Sequence, residues 1–171
     1  MYWRKYFELS HEAVELEQKL KPMLRTHLGT LKSTAQTDVE QGIIMLDISQ
    51  PPLKCALSYA YELKNYEHRL DYQQLNDLAH RRAISKVQYV KSITRLEARA
   101  AMFRCRVFTD LGAPLTDLTF HRDYLEIYKK YQNDEDKCID MLALYIQEQG
   151  LVRREYSAKK YYAACFDYYA G

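Results

Sequence analysis

Apolar residues recur every three or four positions between residues 2 and 20. This spacing lines one face of a helix and predicts a helix over about residues 2–20. Lys21-Pro22 interrupts it, because proline disfavours helical geometry in the residue that precedes it. Leucines at intervals of three and four then predict that the chain continues helically to about residue 32.

Two short segments between residues 33 and 52 have the composition of connectors. Residues 33–38 are small and polar, and residues 49–52 end in two prolines. Between them lies an apolar run over residues 43–48, bounded by Gly42 and by the prolines. This run is the one place where the pattern allows a strand, and its bounds fit a buried helical turn as well.

The segment over residues 53–111 contains neither glycine nor proline in 59 residues and is the most helical part of the chain. As one straight helix it would be about 88 Å long, several times the size of a compact domain of this length. A reversal is therefore expected, and the polar residues 71–77 are its predicted position. The second arm begins near residue 79, carries Val87 on its apolar face and ends at Gly112.

Three further helices are predicted after residue 112. Thr116 can cap the first and Asn133 the second, whose first turn is acidic, as the helix dipole favours. Gly150 closes the second, and the last helix spans about residues 155–169. The whole pattern predicts an all-α chain, a single helical domain over residues 1–171. Its expected form is a bundle of about six to seven helices with one or two long central helices.

Composition agrees with one globular domain. The 171 residues are 47% hydrophobic and 28% charged, which suffices for a continuous core and argues against a disordered chain. The amino terminus lacks the apolar run of a signal peptide, and the most apolar stretch, Ile43–Leu46, is far shorter than the roughly 20 residues that span a bilayer. The four cysteines form no Cys-x-x-Cys pair, so we expect reduced, mostly buried thiols. These features predict an intracellular, cytoplasmic protein without a membrane segment.

Positive charge is concentrated in residues 81–106. Eight lysines and arginines stand there against one acid, Glu97, so this segment carries +7 in a chain of net charge +2. Lys91, Arg95 and Arg99 step by four and share one helical face. Because like charges at this spacing destabilise a helix by roughly 0.2–0.5 kcal/mol per pair, we expect an anion to face them. The predicted contact residues are Arg82, Lys86, Lys91, Arg95, Arg99 and Arg106.

The expected anion has two candidate sources. A phosphate backbone matches a row of guanidinium groups and releases counterions on binding, which makes nucleic acid, either DNA or RNA, the leading hypothesis. An acidic protein is the other external partner. The internal alternative is the protein's own acids, either the seven of residues 123–148 or those of the early helix between Glu8 and Glu17. If those carboxylates meet the cations of residues 91–99, the reason for a polyanionic ligand disappears.

Tyrosine is the second unusual feature, with 16 in the chain and five of them between residues 156 and 169. Rings beside basic side chains can stack on nucleic-acid bases, whereas tyrosine at a protein interface buries area with little loss of entropy. The alternative is an amphipathic helix that docks on its own core. The tyrosine-rich C-terminal helix, placed over residues 153–171, is thus a second predicted contact surface or a homo-oligomer contact, formed by Arg153, Arg154, Lys159, Lys160, Tyr161, Tyr162, Tyr168 and Tyr169.

Catalytic and metal-binding patterns are weak. Glu8 and His11 form one Glu-x-x-His unit, whereas a di-iron bundle needs two such units and two more acids. Asp117 and His121 are interpreted as a helix-surface contact, because no nucleophile motif accompanies them. The glycines stand alone, which excludes a P-loop.

The sequence therefore predicts a non-enzymatic binding module without metal or cofactor, whose basic helix over residues 81–106 contacts nucleic acid. One alternative is a protein-interaction adaptor or assembly subunit that uses the C-terminal helix. The other is a carboxylate and histidine metal-binding bundle.

Overall fold

The computed structural model describes residues 2–31, 34–112, 122–152 and 156–171. Within these residues the chain forms eight α-helices, one turn of 3₁₀ helix and five short strands. The helices are α1 (Tyr2–Phe7), α2 (His11–Leu20), α3 (Pro52–Glu67), α4 (Arg69–His80), α5 (Lys86–Asp110), α6 (Arg122–Tyr131), α7 (Glu135–Gln149) and α8 (Ala158–Ala170). The strands are β1 (Arg25–Gly29), β2 (Ala35–Asp38), β3 (Ile43–Asp47), β4 (Leu151–Val152) and β5 (Tyr156–Ser157), and the 3₁₀ turn covers Lys21–Met23.

The helices and strands fall into two compact units. Residues 1–67 and 100–125 form the first unit, and residues 68–99 and 126–171 form the second. The long helix α5 supplies its first part to the second unit and its last part to the first. That these units make up a single domain stays a prediction.

The first unit is built on a three-stranded sheet with β3 in the centre, parallel to β1 and antiparallel to β2. Helix α3 packs against β2 and β3 and also against α1 and α2. The aromatic centre of its core is Tyr59, whose ring meets Trp3 and Phe7 edge to face, with 5.1 Å between ring centroids in each pair.

The helix predicted to continue to residue 32 is wrong, since residues 25–29 form β1. The amide of Arg25 donates to the carbonyl of Gly42, 2.8 Å away, and the Thr26 and Tyr59 hydroxyls lie 2.9 Å apart. These partners are distant in sequence, so the local leucine spacing carried no information about them. In the same sheet, residues 35–38 of the predicted connector over 33–38 form β2. The apolar run over 43–48 does contain a strand, β3.

The helix predicted over residues 2–20 is divided into α1 and α2 at Ser10. Ser10 has extended backbone angles (φ −96°, ψ 109°), which end helical geometry at that point. Its side chain is fully buried, and its hydroxyl donates to Oδ2 of Asp110 at 2.7 Å. A tertiary hydrogen bond thus fixes a break that the apolar spacing did not reveal.

The second unit is organised around α8, which packs against α4 and α7. Tyr89 of α5 is buried and meets the ring of Phe166 edge to face at 5.6 Å. The buried hydroxyl of Thr94 accepts a hydrogen bond from the Gln147 side chain of α7. The last helix was predicted over about 155–169 and lies at 158–170, behind a short β4–β5 ribbon.

The helical stretch over residues 53–111 is divided into three helices, and its predicted corner at 71–77 is wrong because those residues lie within α4. One break is at His68. The other follows Arg82, whose φ of 54° places it in the left-handed region. The Ala83 amide then donates to the Leu78 carbonyl at 2.8 Å, a hydrogen bond that closes the helix end.

A mostly helical chain is therefore confirmed, whereas a purely all-α chain is wrong because distant segments pair as strands. A bundle arrangement stays a prediction. All four cysteines are free thiols, and three of them are buried, as expected. In the described part of the chain, no helix is long and apolar enough to cross a membrane. The predicted cap at Thr116 lies outside the described residues.

Candidate functional site

The basic segment over residues 81–106 is divided between the two units. Residues 81–99 belong to the second unit and residues 100–106 to the first. Whether its cations are available to a ligand depends on what each of them contacts within its own unit.

Arg95, in the middle of the predicted stripe, faces the first two turns of α7. Its guanidinium is ion-paired with Asp140 and, at 3.8 Å, with Asp136. Because Asp136 and Asp140 are four residues apart, one face of α7 presents both carboxylates to the same guanidinium. Arg95 is therefore neutralised by acids of the 123–148 segment, which is the internal alternative raised by the sequence.

The cations that precede the stripe contact the end of α8. Lys86 Nζ lies 2.5 Å from Oδ1 of Asp167. The guanidinium of Arg82 donates to the backbone carbonyls of Ala170 at 3.2 Å and Gly171 at 3.4 Å. The two Arg82 contacts cover carbonyl groups that a helix end leaves unpaired, where a positive charge is favourable.

In the first unit, Arg106 and Arg104 have different surroundings. Arg106 Nη1 donates to Oε1 of Glu12 at 2.6 Å, so an acid of the early helix neutralises it. Arg104 is only 9% exposed, and its guanidinium carbon lies 4.7 Å from the ring centre of Tyr61 and 5.5 Å from that of Tyr124.

Lys91 and Arg99 are the members of the stripe that have no ion pair or side-chain hydrogen bond with any described residue. Lys91 is exposed, and Arg99 is half-buried. They stand eight residues apart on either side of Arg95, about 12 Å along the helix axis. Arg81, the residue directly after α4, is also exposed, and its side chain has no partner among the described residues. The continuous ridge expected from the sequence is thus reduced to separate cations.

The tyrosine-rich helix α8 contributes Ala158 and Tyr162 to the buried core of the second unit. Tyr162 is 9% exposed, and its hydroxyl donates to Oε1 of Glu97 at 2.8 Å. Tyr161 and Tyr169 are half-buried, whereas Lys159 and Lys160 are exposed. Arg153 and Arg154, which belong to the same predicted surface, lie outside the described residues, as do Asp117 and His121.

Tyr168 is the one tyrosine of α8 that is exposed, with 82% of its surface accessible. On α5, Val87 is 78% exposed, although its spacing placed it on the buried face. Val87 directly follows Lys86 in α5, and Tyr168 directly follows Asp167 in α8, and Lys86 and Asp167 form an ion pair. The sequence predicted Tyr168 as a contact residue, whereas the Lys86–Asp167 ion pair that joins α5 to α8 could not be predicted from spacing.

A hydrogen-bonded network in the first unit joins Glu17, Arg4 and Tyr59. Arg4 donates to both carboxylate oxygens of Glu17, at 2.5 and 2.7 Å, and the Tyr59 hydroxyl donates to Oε1 at 2.8 Å. Burial by itself raises the pKa of Glu17, but the hydrogen bonds from Arg4 and Tyr59 outweigh it and leave this pKa below its usual value. Both carboxylate oxygens of Glu17 thus accept from side chains of the same unit, which indicates a structural role for this network.

A metal centre finds no support in this geometry. Among the described residues, no cluster of three or more histidine, cysteine, aspartate or glutamate side chains could hold a metal ion. In the Glu-x-x-His unit, His11 is 87% exposed and lies 3.5 Å from Glu15, while Glu8 contacts Arg4 at 3.4 Å. The two side chains are thus directed to different partners.

Comparison with known proteins adds no assignment: no family model, no curated protein and no solved structure matches this chain.

Proposed function

We propose that this chain is a non-enzymatic interaction module that binds an acidic segment of another protein through its second unit. The binding surface comprises Val87 and Tyr168, with Arg81 and Lys91 as the nearby charges, and we call it the Val87–Tyr168 surface. The observation that carries the proposal is the exposure of these two apolar side chains, 78% and 82%, each next in sequence to one member of the Lys86–Asp167 ion pair.

Tyr168 suits the role of an anchor. A tyrosine ring buries a large area for little entropy, and tyrosine is enriched among the residues that dominate binding energy. Its position also favours a charged partner. Arg82 contacts the carbonyls of Ala170 and Gly171, so the neighbouring Arg81 is held at the same end of α8 as Tyr168. An acidic segment with an apolar side chain would therefore complement this surface.

The internal contacts favour a protein partner over nucleic acid as the main ligand. Of the eight cations of residues 81–106, Lys86, Arg95 and Arg106 pair with acids, Arg82 caps carbonyls and Arg104 stacks on tyrosines. Three cations remain, whereas affinity for nucleic acid grows with the number of phosphates neutralised. Binding energy from tyrosine does not depend on that number.

The test compares binding of fluorescently labelled twelve-residue peptides by anisotropy. The first peptide combines glutamates with one central tryptophan, the second carries glutamates alone, and the third carries lysines with the tryptophan. The first should bind best, since it satisfies both the cations and the apolar surface. Tyr168→Ala should weaken its binding about 30-fold, the equivalent of a 2 kcal/mol anchor. Tyr2→Ala is the matched control, because Tyr2 is 78% exposed in the first unit.

Equal binding of the peptide by wild type and Tyr168→Ala, or equal loss in Tyr2→Ala, would show that this surface is not the site. Circular dichroism of each variant verifies that the fold is retained, as expected for changes at side chains this exposed.

Nucleic-acid binding remains a second proposal, supported by one observation, the absence of described partners for Lys91 and Arg99. A labelled twelve-nucleotide oligothymidine in the same assay tests it. Two neutralised phosphates predict a slope of about −1.4 for the logarithm of affinity against the logarithm of salt concentration. Lys91→Glu with Arg99→Glu should abolish that binding, whereas Lys137→Glu on α7 should not. A slope near zero argues against this second proposal without affecting the first.

A further inference from the structure

Arg104, in the first unit, is a buried cation without a carboxylate partner. It is 9% exposed, and among the described residues its guanidinium forms no ion pair and no hydrogen bond. Its Nε is fully enclosed and has no acceptor. The other described arginines that are part-buried in this unit have acids: Arg4 has Glu17, and Arg106 has Glu12. Arg104 therefore departs from the pattern of its own unit.

The two ring contacts of Arg104 stabilise its buried charge but leave its N–H groups without acceptors among the described residues. Tyr61 of α3 and Tyr124 of α6 lie 4.7 and 5.5 Å from the guanidinium carbon, within the range of a cation–π interaction. Such contacts engage the positive charge but accept no hydrogen bonds, and a guanidinium carries five N–H donors in its plane. Buried donors of this kind normally have an acceptor, and a bound ion is one explanation of an exception.

We propose that Arg104, Tyr61 and Tyr124 form a binding site for a small oxyanion, a phosphate or a carboxylate. Either group offers two oxygens to the planar guanidinium fork, the geometry in which arginine binds anions best. The two rings hold the fork in place and lower the local polarity, which strengthens a charge-assisted hydrogen bond. Because nine-tenths of Arg104 is enclosed, the ligand is a free small anion or the anionic end of a slender molecule.

This site is independent of the Val87–Tyr168 surface. Its residues lie in the first unit, it takes a different ligand, and its test uses a different probe. The failure of one proposal therefore leaves the other unaffected.

The direct test is the NMR signal of the Arg104 Nε–H group in the ¹⁵N-labelled full chain, assigned by its loss in Arg104→Lys. Sodium phosphate and sodium acetate are added separately, each against sodium chloride at the same ionic strength. A saturable downfield shift in the millimolar range is expected with at least one of them. A shift with phosphate alone assigns a phosphoryl ligand, and a shift with acetate alone assigns a carboxylate. No saturable shift with either anion overturns the proposal.

A second measurement places the anion at Arg104. Unfolding of the first unit can be followed by the fluorescence of Trp3, the single tryptophan of the chain, which is 5% exposed. An anion at ten times its Kd should raise the ratio of folded to unfolded wild type about elevenfold. Arg104→Met should lose this response, and Arg106→Met, whose arginine already has an acid, should retain it.

If Arg104→Met responds to the anion as wild type does, the anion binds elsewhere and the proposal is wrong. If this variant does not fold, Arg104→Lys replaces it. A lysine retains the positive charge but lacks the bidentate fork, so its affinity for the anion should fall at least about tenfold.

Discussion

Replacing Glu17 by glutamine should destabilise the first unit at neutral pH by removing one charge from the Arg4–Glu17–Tyr59 network. The carboxylate of Glu17 accepts three hydrogen bonds, at 2.5, 2.7 and 2.8 Å, and its side chain is 17% exposed. Hydrogen bonds to a charged group contribute about 1.5–3 kcal/mol each, and neutral ones about 1 kcal/mol. Glutamine retains one acceptor oxygen and directs a donor at Arg4.

The net cost is smaller than the sum of these bonds. The Arg4 side chain is 35% exposed, so solvent screens its attraction to Glu17, and the part of the loss due to charge is discounted accordingly. We expect the free energy of unfolding to fall by about 2 kcal/mol, a decrease of about 4–8 °C in Tm for a chain of this size. Glu15→Gln is the matched control on α2, because its side chain is 64% exposed and it should cost less than about 0.5 kcal/mol.

The pH dependence of unfolding distinguishes the contribution of the Glu17 charge from that of its side-chain shape. The folded pKa of Glu17 lies below its ordinary value of 4.5, so its stabilising effect is fully present above about pH 4.5 and is lost as pH falls through the folded pKa. Urea unfolding followed by Trp3 fluorescence, at successive pH values below 7, should show the gap between wild type and Glu17→Gln closing in acid. The titration of the other carboxylates affects wild type and Glu17→Gln equally and therefore cancels in the difference between their free energies of unfolding. A gap of the same size at pH 3 and pH 7 would refute the electrostatic explanation.

Two further substitutions test the backbone and the second unit. Gly42→Ala should cost more than about 2 kcal/mol in urea unfolding, because Gly42 has φ +63° and an added Cβ would lie 2.4 Å from the Met23 carbonyl oxygen. Gly112→Ala should cost only about 1 kcal/mol, because Gly112 has φ +58° but no described atom lies within 4 Å of an added Cβ. Tyr162→Phe should cost about 1.5 kcal/mol through its lost hydrogen bond to Glu97, measured by amide hydrogen exchange in α8, and an unchanged exchange rate there would contradict this assignment.

Features that depend on neighbouring residues could be predicted from the sequence. The glycine-free and proline-free stretch over residues 53–111 is helical apart from two short breaks, and Asp134 caps α7 by accepting from the Lys137 amide at 3.0 Å, one residue after the predicted cap. The apolar run over 43–48 contains β3. In each case the signal lies within one helical turn or one strand, where local geometry decides.

Features that depend on distant partners could not be predicted. The leucine spacing over residues 24–31 fits a helix, yet β1 forms because β3 supplies its hydrogen bonds from 18 positions further along. Similarly, the break between α1 and α2 includes Ser10, whose hydroxyl donates to Asp110, 100 positions away. A periodic pattern predicts which residues can share a face, but it does not predict which other segment packs on that face.

The same reasoning explains why the net charge of residues 81–106 does not give the number of cations left without an internal partner. A net charge of +7 counts the eight cations as equivalent. The acids that neutralise Arg95 and Arg106 lie 45 and 94 positions away in the chain, so the local charge does not reveal them. Arg104 contributed the same unit of charge and is the one that is buried with no acid among its described neighbours. An exposed cation costs little and indicates little, because water already solvates it. A buried cation without an acid is unfavourable unless something binds it, which is the reason for proposing a ligand at Arg104.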